Sequence, residues 1–441
     1  MSPNTEPAVS SVQEQARRTR RAAKALARLS GDARNRILLS AAAVIEQRCA
    51  EIVAANQADC AAFATLTSAG ASSQALFKRL QTSERGVREM AIRVRDVAAL
   101  PDPLRQVLAT TELDQGLTLE KVPCPLGVIA VIFESRPDVV PQVGSLAIKT
   151  GNGLVLKGGA EAKRTNRILV STLQEALALH SVPPEAICLL EERAEVMQVL
   201  QMEREIDLVV PRGSSDFVNF VFQHSRVPVM GHGSGICHIY VDRAADLVMA
   251  ERVILDAKVQ YPAACNSVEK VLIHKDVSAA FLPALVTSLQ QNRVEIRGCE
   301  RTIQLCPGMS VSPAAEQDWE TEYSDLVLAL KVVDSLDEAL NHIEKYGSRH
   351  TESIITSDQN AAERFLNEVD AASVFHNAST RFADGYRYGL GAEIGVSNSK
   401  LHARGPVGLD GLLTYKYKLH GKGDVVADYA EGRRKFQHRR K

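Results

Sequence analysis

The chain has 441 residues, 45% of them hydrophobic and 24% charged, with a formal net charge of −1. This is a globular mix, long enough for two or three domains around a sizeable core. Such a charge balance gives no footing for nucleic acid or a membrane surface, and no apolar run approaches the roughly 20 residues of a spanning helix.

Residues 11–100 are rich in Ala, Arg, Glu and Leu with helical periodicity, as in ALARLSGDARNRILLSAAAVIEQ, and predict several helices ended by Pro101 and Pro103. The first of them, VQEQARRTRRAAKALARL, is basic and amphipathic. A transit peptide can look like this, but a solvated helix face is the commoner source of the pattern. No signal-peptide pattern opens the chain, so a cytoplasmic location is expected. LTLEKV then alternates like an exposed strand. GVIAVIF (127–133) is a continuous apolar run, as in a buried strand. A helix over PDVVPQVGSLAIK, the strand GLVLK (153–157), a helix over 161–179, the strand AICLL (186–190), the helix AEVMQVLQ (194–201) and the strand IDLVV (206–210) follow. This alternation predicts parallel βαβ units, hence a doubly wound α/β sheet. A second unit starts after residue 236 with ICHIYVD and continues through ADLVMAERVILDAK and VEKVLIH to about residue 378. GAEIGVSNSKLHARGPVGLDGLLTYKYKLHG is too rich in Leu and Tyr for a linker yet matches no regular element, and EGRRKFQHRRK reads as a mobile basic tail.

Doubly wound sheets bind ligands at the carboxyl ends of their strands. Here those ends carry Lys157-Gly158-Gly159 and Pro211-Arg212-Gly213-Ser214-Ser215. Cations beside glycines and hydroxyls suit a phosphate, but neither stretch is a GxGxxG, and plain turn chemistry explains them equally well. Cys265, in QYPAACNSVEK, lies between a proline turn and a strand. A buried small hydrophobe and a loop nucleophile are both open on position alone. The eight cysteines form no CxxC pair, which argues against a disulfide framework and for a reducing compartment. His232, Cys237 and His238 match no zinc spacing, and no metal is expected.

PLGVIAVIFESRP followed by KTGNGLVLKGG resembles the aldehyde dehydrogenase superfamily. VDSLDEALNHIEKYGSRHTESI, FHNASTRFADGYRYGLGAEIG, KLHARGPVGL and YPAACN resemble, within it, the γ-glutamyl phosphate reductase family, over about residues 15–420. The resemblance implies an aldehyde-dehydrogenase-like α/β fold. Its expected parts are a helical and NADP-binding domain over 1–236, rejoined at 379–395, a catalytic domain over 237–378, and an oligomerisation arm from 112–126 and 396–420. The basic tail, 421–441, would follow. The implied reaction is NADPH-dependent reduction of L-glutamyl 5-phosphate to glutamate 5-semialdehyde, the second step of proline synthesis from glutamate. Cys265 falls where the superfamily keeps its nucleophile, to carry a thioester. Hydrolytic members place a glutamate ahead of a Gly-Gly pair to activate water, whereas this chain has no carboxylate between Asp216 and Asp242. An enzyme exchanging its thioester with phosphate has no use for that base.

At the position of the superfamily's oxyanion asparagine stands Ser135, with the Cys265 N–H and Asn266 as alternative donors. Lys157 matches the lysine that meets the adenine ribose, followed by Gly158. Where NAD-specific members carry a glutamate stands Ala160, with Glu161 one residue on, which favours NADP(H). Gly213, Ser214 and Ser215 match the loop beside the pyrophosphate and nicotinamide, and Glu322 the group holding the nicotinamide ribose. Arg136, Arg381 and Arg404 are candidate clamps for the substrate carboxylate, with Glu134, Asn377 and His402 as polar companions; any one of them could instead be a structural cap or ion pair. A homo-oligomer, at least a dimer, is implied, with a glutamate kinase as pathway partner and no nucleic acid or membrane. Two rivals stand beside this: a CoA-acylating dehydrogenase of the same fold, and a non-catalytic chain of that fold.

Overall fold

The computed structural model describes residues 11–66 and 71–440, with only the backbone at 65–66 and 71–75. The helical region expected over 11–100 therefore has a short stretch, 67–70, outside the described residues, as is Lys441 of the tail. The chain forms two units: Met1–Met230 with Leu390–Gly395 and Val407–Lys441, and Gly231–Gly389 with Val396–Pro406.

In the first unit the N-terminal helices are Val12–Arg28, Gly31–Gln47, Cys49–Leu66, Ala71–Leu80 and Glu84–Ala99. Ser11, Ser30 and Ser83 each cap one of them by accepting a backbone N–H, which satisfies a donor the helix itself cannot. A four-stranded parallel sheet runs in the order Ile187–Leu190, Gly153–Lys157, Val128–Phe133, Leu208–Arg212. Its two central strands are buried at every residue, because helices such as Val12–Arg28 and Val139–Thr150 pack against them. The helix expected over 194–201 is shorter, Glu195–Val199, and ends in turns.

A separate antiparallel sheet joins Ala109–Asp114, Leu117–Pro125 and Leu413–His420. LTYKYKLH, inside the segment that matched no regular element, is an eight-residue strand in which Leu413, Tyr415, Tyr417 and Leu419 alternate with polar residues, held by its ladder along the half-buried Leu117–Pro125 strand. The tail is not a free end either. Val426–Ala430 is helical, Arg439–Arg440 pairs with Ala109–Asp114, and Arg434 binds Asp114 at 2.7 Å.

The second unit is a seven-stranded sheet, wholly parallel, in the order Ser312–Pro313, Glu295–Gly298, Val327–Val333, Val268–His274, Cys237–Val241, Thr351–Ile355, Ser373–His376. Its core gathers Ile239, Val271, Phe281, Leu285, Leu328 and Leu330. The unit starts at 231 rather than 237, for a local reason. Ile236 N–H donates to Ser348 Oγ at 2.8 Å and His232 Nδ1 meets the Val396 carbonyl at 2.9 Å, so the run 231–236 is tied into this sheet's neighbourhood. Residues 396–406, expected in the arm, instead form a small antiparallel pair, Val396–Ser397 with Gly405–Pro406, within this unit.

Candidate active site

Cys265 sits where the helix Leu247–Val259 has ended and the buried strand Val268–His274 has not begun. Two consecutive turns carry it, Ala264 N–H to the Tyr261 carbonyl (3.2 Å) and Ser267 N–H to the Ala264 carbonyl (2.8 Å). Small residues make this tight path possible. Across from it, Gly235 lies so close that a Cβ there would stand 2.1 Å from the Cys265 carbonyl oxygen. The thiol is free and half-buried.

Two imidazoles converge on that sulfur. One ligand-capable atom from each of His232, Cys265 and His350 lies within 4.8 Å of the other two, and the two rings meet edge to face at 5.0 Å. Burial by itself would keep the Cys265 thiol protonated; the positive charge of His350 and His232 overcomes it and holds the thiol well below the ordinary range. Reciprocally, burial disfavours a charged His232, but the thiolate, the Val396 carbonyl and the charge of Glu322 raise it to about 9. The pair is a thiolate–imidazolium couple, the arrangement that makes a cysteine nucleophilic near neutral pH. The other buried thiols go the other way: burial pushes Cys188 up to about 12 and Cys237 well above its usual value.

Around this centre the expected residues divide. Arg381 is buried, places Nε 2.8 Å from Gln260 Oε1 and its guanidinium over the Tyr261 ring, and feels the Cys265 charge. It makes no salt bridge among the described residues; the charges of Cys265, Asp384 and Asp256 act on it without a direct ion pair. Glu322 is half-buried and acts electrostatically on His232 and on the Glu269–Lys270 pair. Asn266, offered as an oxyanion donor, is committed elsewhere: its Nδ2 donates to the Ala383 carbonyl at 2.8 Å, which pins the cysteine turn to 381–383. Asn377, at φ 55°, clasps the Thr356 backbone through both amide atoms, a structural cap. Arg404 pairs with Asp370 at 2.9 Å, an acid it shares with Lys400. His402 is exposed in the loop 398–404. Asn377 and Arg404 are thus engaged within the protein.

The first unit holds the remaining set. Lys157 ends its strand, buried, with Nζ 2.5 Å from the Gly158 carbonyl and its pKa lowered by burial. Ser135, at φ 43°, donates both its N–H (2.6 Å) and its hydroxyl (2.8 Å) to Glu161, so its hydroxyl is not a spare oxyanion donor. Glu161 folds back over Gly159, where a Cβ would meet its carboxylate at 2.1 Å. The displaced acid is therefore still at the lysine turn, but held by Ser135. Gly213, Ser214 and Ser215 are exposed at the start of the ten-residue helix Ser215–His224. Glu134, expected with substrate, accepts from Ser214 N–H at 3.3 Å instead and lies against Gly213. Arg136 pairs with Asp138 at 3.2 Å.

Neither histidine is marked by a motif: His350 stands in no recognised pattern, and His232 only beside the Cys237/His238 spacing that matches no zinc site. His350 opens the strand Thr351–Ile355 and His232 lies in a glycine run. Nothing in spacing links either to Cys265; only parallel pairing of Cys237–Val241 with both neighbouring strands brings them together.

Residues 5–317 match the model of the aldehyde dehydrogenase family. The chain is 52% identical to "Gamma-glutamyl phosphate reductase" of Cyanothece sp. over 427 residues, 97% of each chain. It is 47% identical, over 97% of each, to the protein of that name from Pelotomaculum thermopropionicum. A crystal structure of gamma-glutamyl phosphate reductase from Thermotoga maritima superposes with a TM-score of 0.91 at 39% identity, covering 94% of this chain and 100% of that one. An acetylating aldehyde dehydrogenase from Geobacillus thermoglucosidasius shares the fold, with a TM-score of 0.64 at 16% identity over 94% and 97%. The chain belongs to the aldehyde dehydrogenase family and, within it, to the gamma-glutamyl phosphate reductases.

Proposed function

We propose that this chain reduces L-glutamyl 5-phosphate to L-glutamate 5-semialdehyde with NADPH and releases inorganic phosphate, through a thioester on Cys265. The observation that carries it is the half-exposed Cys265 thiol held as thiolate by His232 and His350. A thiolate attacks the acyl carbon of an acyl phosphate, and phosphate leaves with its own charge and little need of an acid. The Cys265 backbone N–H is the remaining oxyanion donor, since Asn266 and Ser135 are both committed. The groups gathered on the sulfur are imidazoles, with no carboxylate inside that cluster among the described residues. The carboxylate-assisted hydrolysis of the hydrolytic relatives is therefore closed to the thioester, which favours its survival until it is reduced. Arg381 supplies the buried positive charge for the substrate's phosphate or carboxylate.

Bound NADPH supplies the hydride that turns the thioester into a hemithioacetal, from which the aldehyde leaves as Cys265 regains its thiolate. The exposed Gly213-Ser214-Ser215 loop at the N-terminus of a ten-residue helix suits the pyrophosphate, which would displace Glu134 from the Ser214 N–H. Lys157 suits the adenine ribose and its 2′-phosphate, and Glu322 the nicotinamide ribose. Glu161 has one oxygen engaged by both Ser135 donors, so it is poorly placed to clamp a ribose hydroxyl pair, in keeping with NADPH over NADH. The acyl phosphate must come from a kinase acting on glutamate, the expected pathway partner. The Leu413–His420 strand, exposed at seven of its eight residues, is the surface for a homo-oligomer. No helix of the described residues is long and apolar enough to cross a membrane.

The test runs the reaction backwards. Protein is given glutamate semialdehyde and NADP⁺, with or without phosphate, and NADPH absorbance is followed, with NAD⁺ and Cys265→Ala in parallel. Phosphate-dependent signal, lost in the variant and weaker with NAD⁺, is expected. Signal that needs CoA instead of phosphate would transfer the chain to acyl-CoA chemistry. Signal with water alone would sink the proposal.

A further inference from the structure

We infer that His232, Cys265 and His350 form a binding site for a soft divalent cation, Zn²⁺ foremost, open on one side and competing with catalysis for the same sulfur. The donor set points to this ion. A thiolate with two imidazoles is a soft, nitrogen–sulfur set that selects zinc over magnesium or calcium. The three donor atoms already lie within 4.8 Å of one another. Around a tetrahedral zinc they would stand about 3.4–3.8 Å apart, from the usual zinc–nitrogen and zinc–sulfur bond lengths. Closing the gap takes side-chain rotation on the order of 1 Å and no backbone movement.

Two further features prepare the rings. His232 Nδ1 is engaged by the Val396 carbonyl at 2.9 Å, and His350 Nδ1 by Thr351 Oγ1 at 2.8 Å. Such outer bonds set the tautomer and orientation of metal-binding histidines and leave Nε2 of each ring for the cluster. The His350 side chain is fully buried, and its Nε2 has no hydrogen-bond partner. An orphaned buried nitrogen is costly unless something else satisfies it, and a cation shared with Cys265 and His232 does so. His232 and Cys265 are half-buried, so an ion reaches them from solvent and keeps a fourth position for water.

Binding stands on this geometry alone. Its inhibitory consequence rests on Cys265 being the nucleophile: the sulfur lone pair that would attack the acyl carbon is donated to the metal, and no electron is transferred, so chelation reverses the block.

The full-length protein, reduced and freed of metal, is titrated with Co²⁺ and followed by absorption, then with Zn²⁺ by equilibrium dialysis. Cys265→Ser, His350→Asn and His232→Gln are run alongside, each checked for an intact thermal transition without metal. A thiolate-to-cobalt charge-transfer band, absent in Cys265→Ser, is expected, with one tight Zn²⁺ per chain. Affinity should fall by roughly tenfold or more in each variant, the scale of losing even a supporting partner. No charge-transfer band, or zinc affinity equal in wild type and Cys265→Ser, overturns the site. If the band forms but turnover continues with zinc bound, the metal site stands and the assignment of Cys265 as nucleophile falls.

Discussion

Cys265 and Cys188 are the same side chain with opposite chemistry, and their surroundings decide which is reactive. Cys188 has burial and the charge of Glu195 against ionisation, while Cys265 has two imidazoles in its favour. Composition alone could nominate Cys265 only by its place in YPAACN; the histidines that activate it are 33 residues before it and 85 after, too far for any motif. Among the three arginines weighed for the substrate, burial separates Arg381 from Arg404, which Asp370 neutralises. Arg381→Lys should keep the charge but lose the planar fork, raising KM for the acyl phosphate roughly tenfold with a smaller change in kcat; an unaltered KM would remove Arg381 from the substrate site. A different pair of residues governs acid stability. His238 and His342 are buried, and burial holds both neutral: His238 down to about 3, helped by Lys270, and His342 to about 2, helped by His238 and Lys331. Their folded pKa values lie below the unfolded one near 6.5, so the unfolded chain takes up protons first as pH drops. The stability they permit is whole above about pH 6.5 and is lost progressively as pH falls toward those values, by roughly 2 kcal/mol per group at pH 5. His342 lies against Trp319, Tyr346 and His238, all rings. His342→Phe should therefore show a smaller fall in Tm between pH 7.5 and 5 than wild type; equal falls would show that His342 does not titrate on unfolding.

At the scale of elements, the strand that follows Cys265 was legible because VEKVLIH is rich in β-branched and aliphatic residues and bounded by a turn; all seven residues are buried, Glu269, Lys270 and His274 among them. The loop 231–236 was not, since its role is an approach of backbone to backbone. Gly235 is the contact: a methyl there would meet the Cys265 carbonyl oxygen, carbon and Cα within 2.8 Å, all backbone atoms that cannot rotate away. Gly235→Ala should displace the cysteine turn and lower kcat by about 100-fold or more, a scale at which small misplacements act, while leaving NADP⁺ binding in the first unit nearly unchanged. Activity within a factor of about two of wild type would mean that the turn yields without cost. Strand Leu413–His420 does carry a period of two, Leu413, Tyr415, Tyr417 and Leu419 against polar neighbours, but it closes a glycine-rich segment with no other regular pattern; exposed at seven of eight residues, it is supported by its ladder with Leu117–Pro125.

At the scale of the whole chain, that exposed strand carries Tyr415, Tyr417 and Leu419 on a sheet with an open edge. Open edges bearing aromatic and aliphatic groups are aggregation-prone unless covered, which is the physical case for a second copy there. Sedimentation should show at least a dimer, and Tyr417→Pro, which removes a ladder N–H, should shift it toward monomer with the Cys265 thiol still reactive; a monomeric wild type would refute the oligomer. The sequence by itself determined the α/β class, the alternation of strands and helices and the family, and nominated Cys265, because local periodicity and a continuous family pattern are written in neighbouring residues. The tertiary structure alone decided the neighbours of Cys265, the contacts that engage Asn266, Asn377 and Arg404, and the extra strands at the C-terminus. Those depend on which distant backbones pair, and parallel strands bring together residues that no local spacing connects.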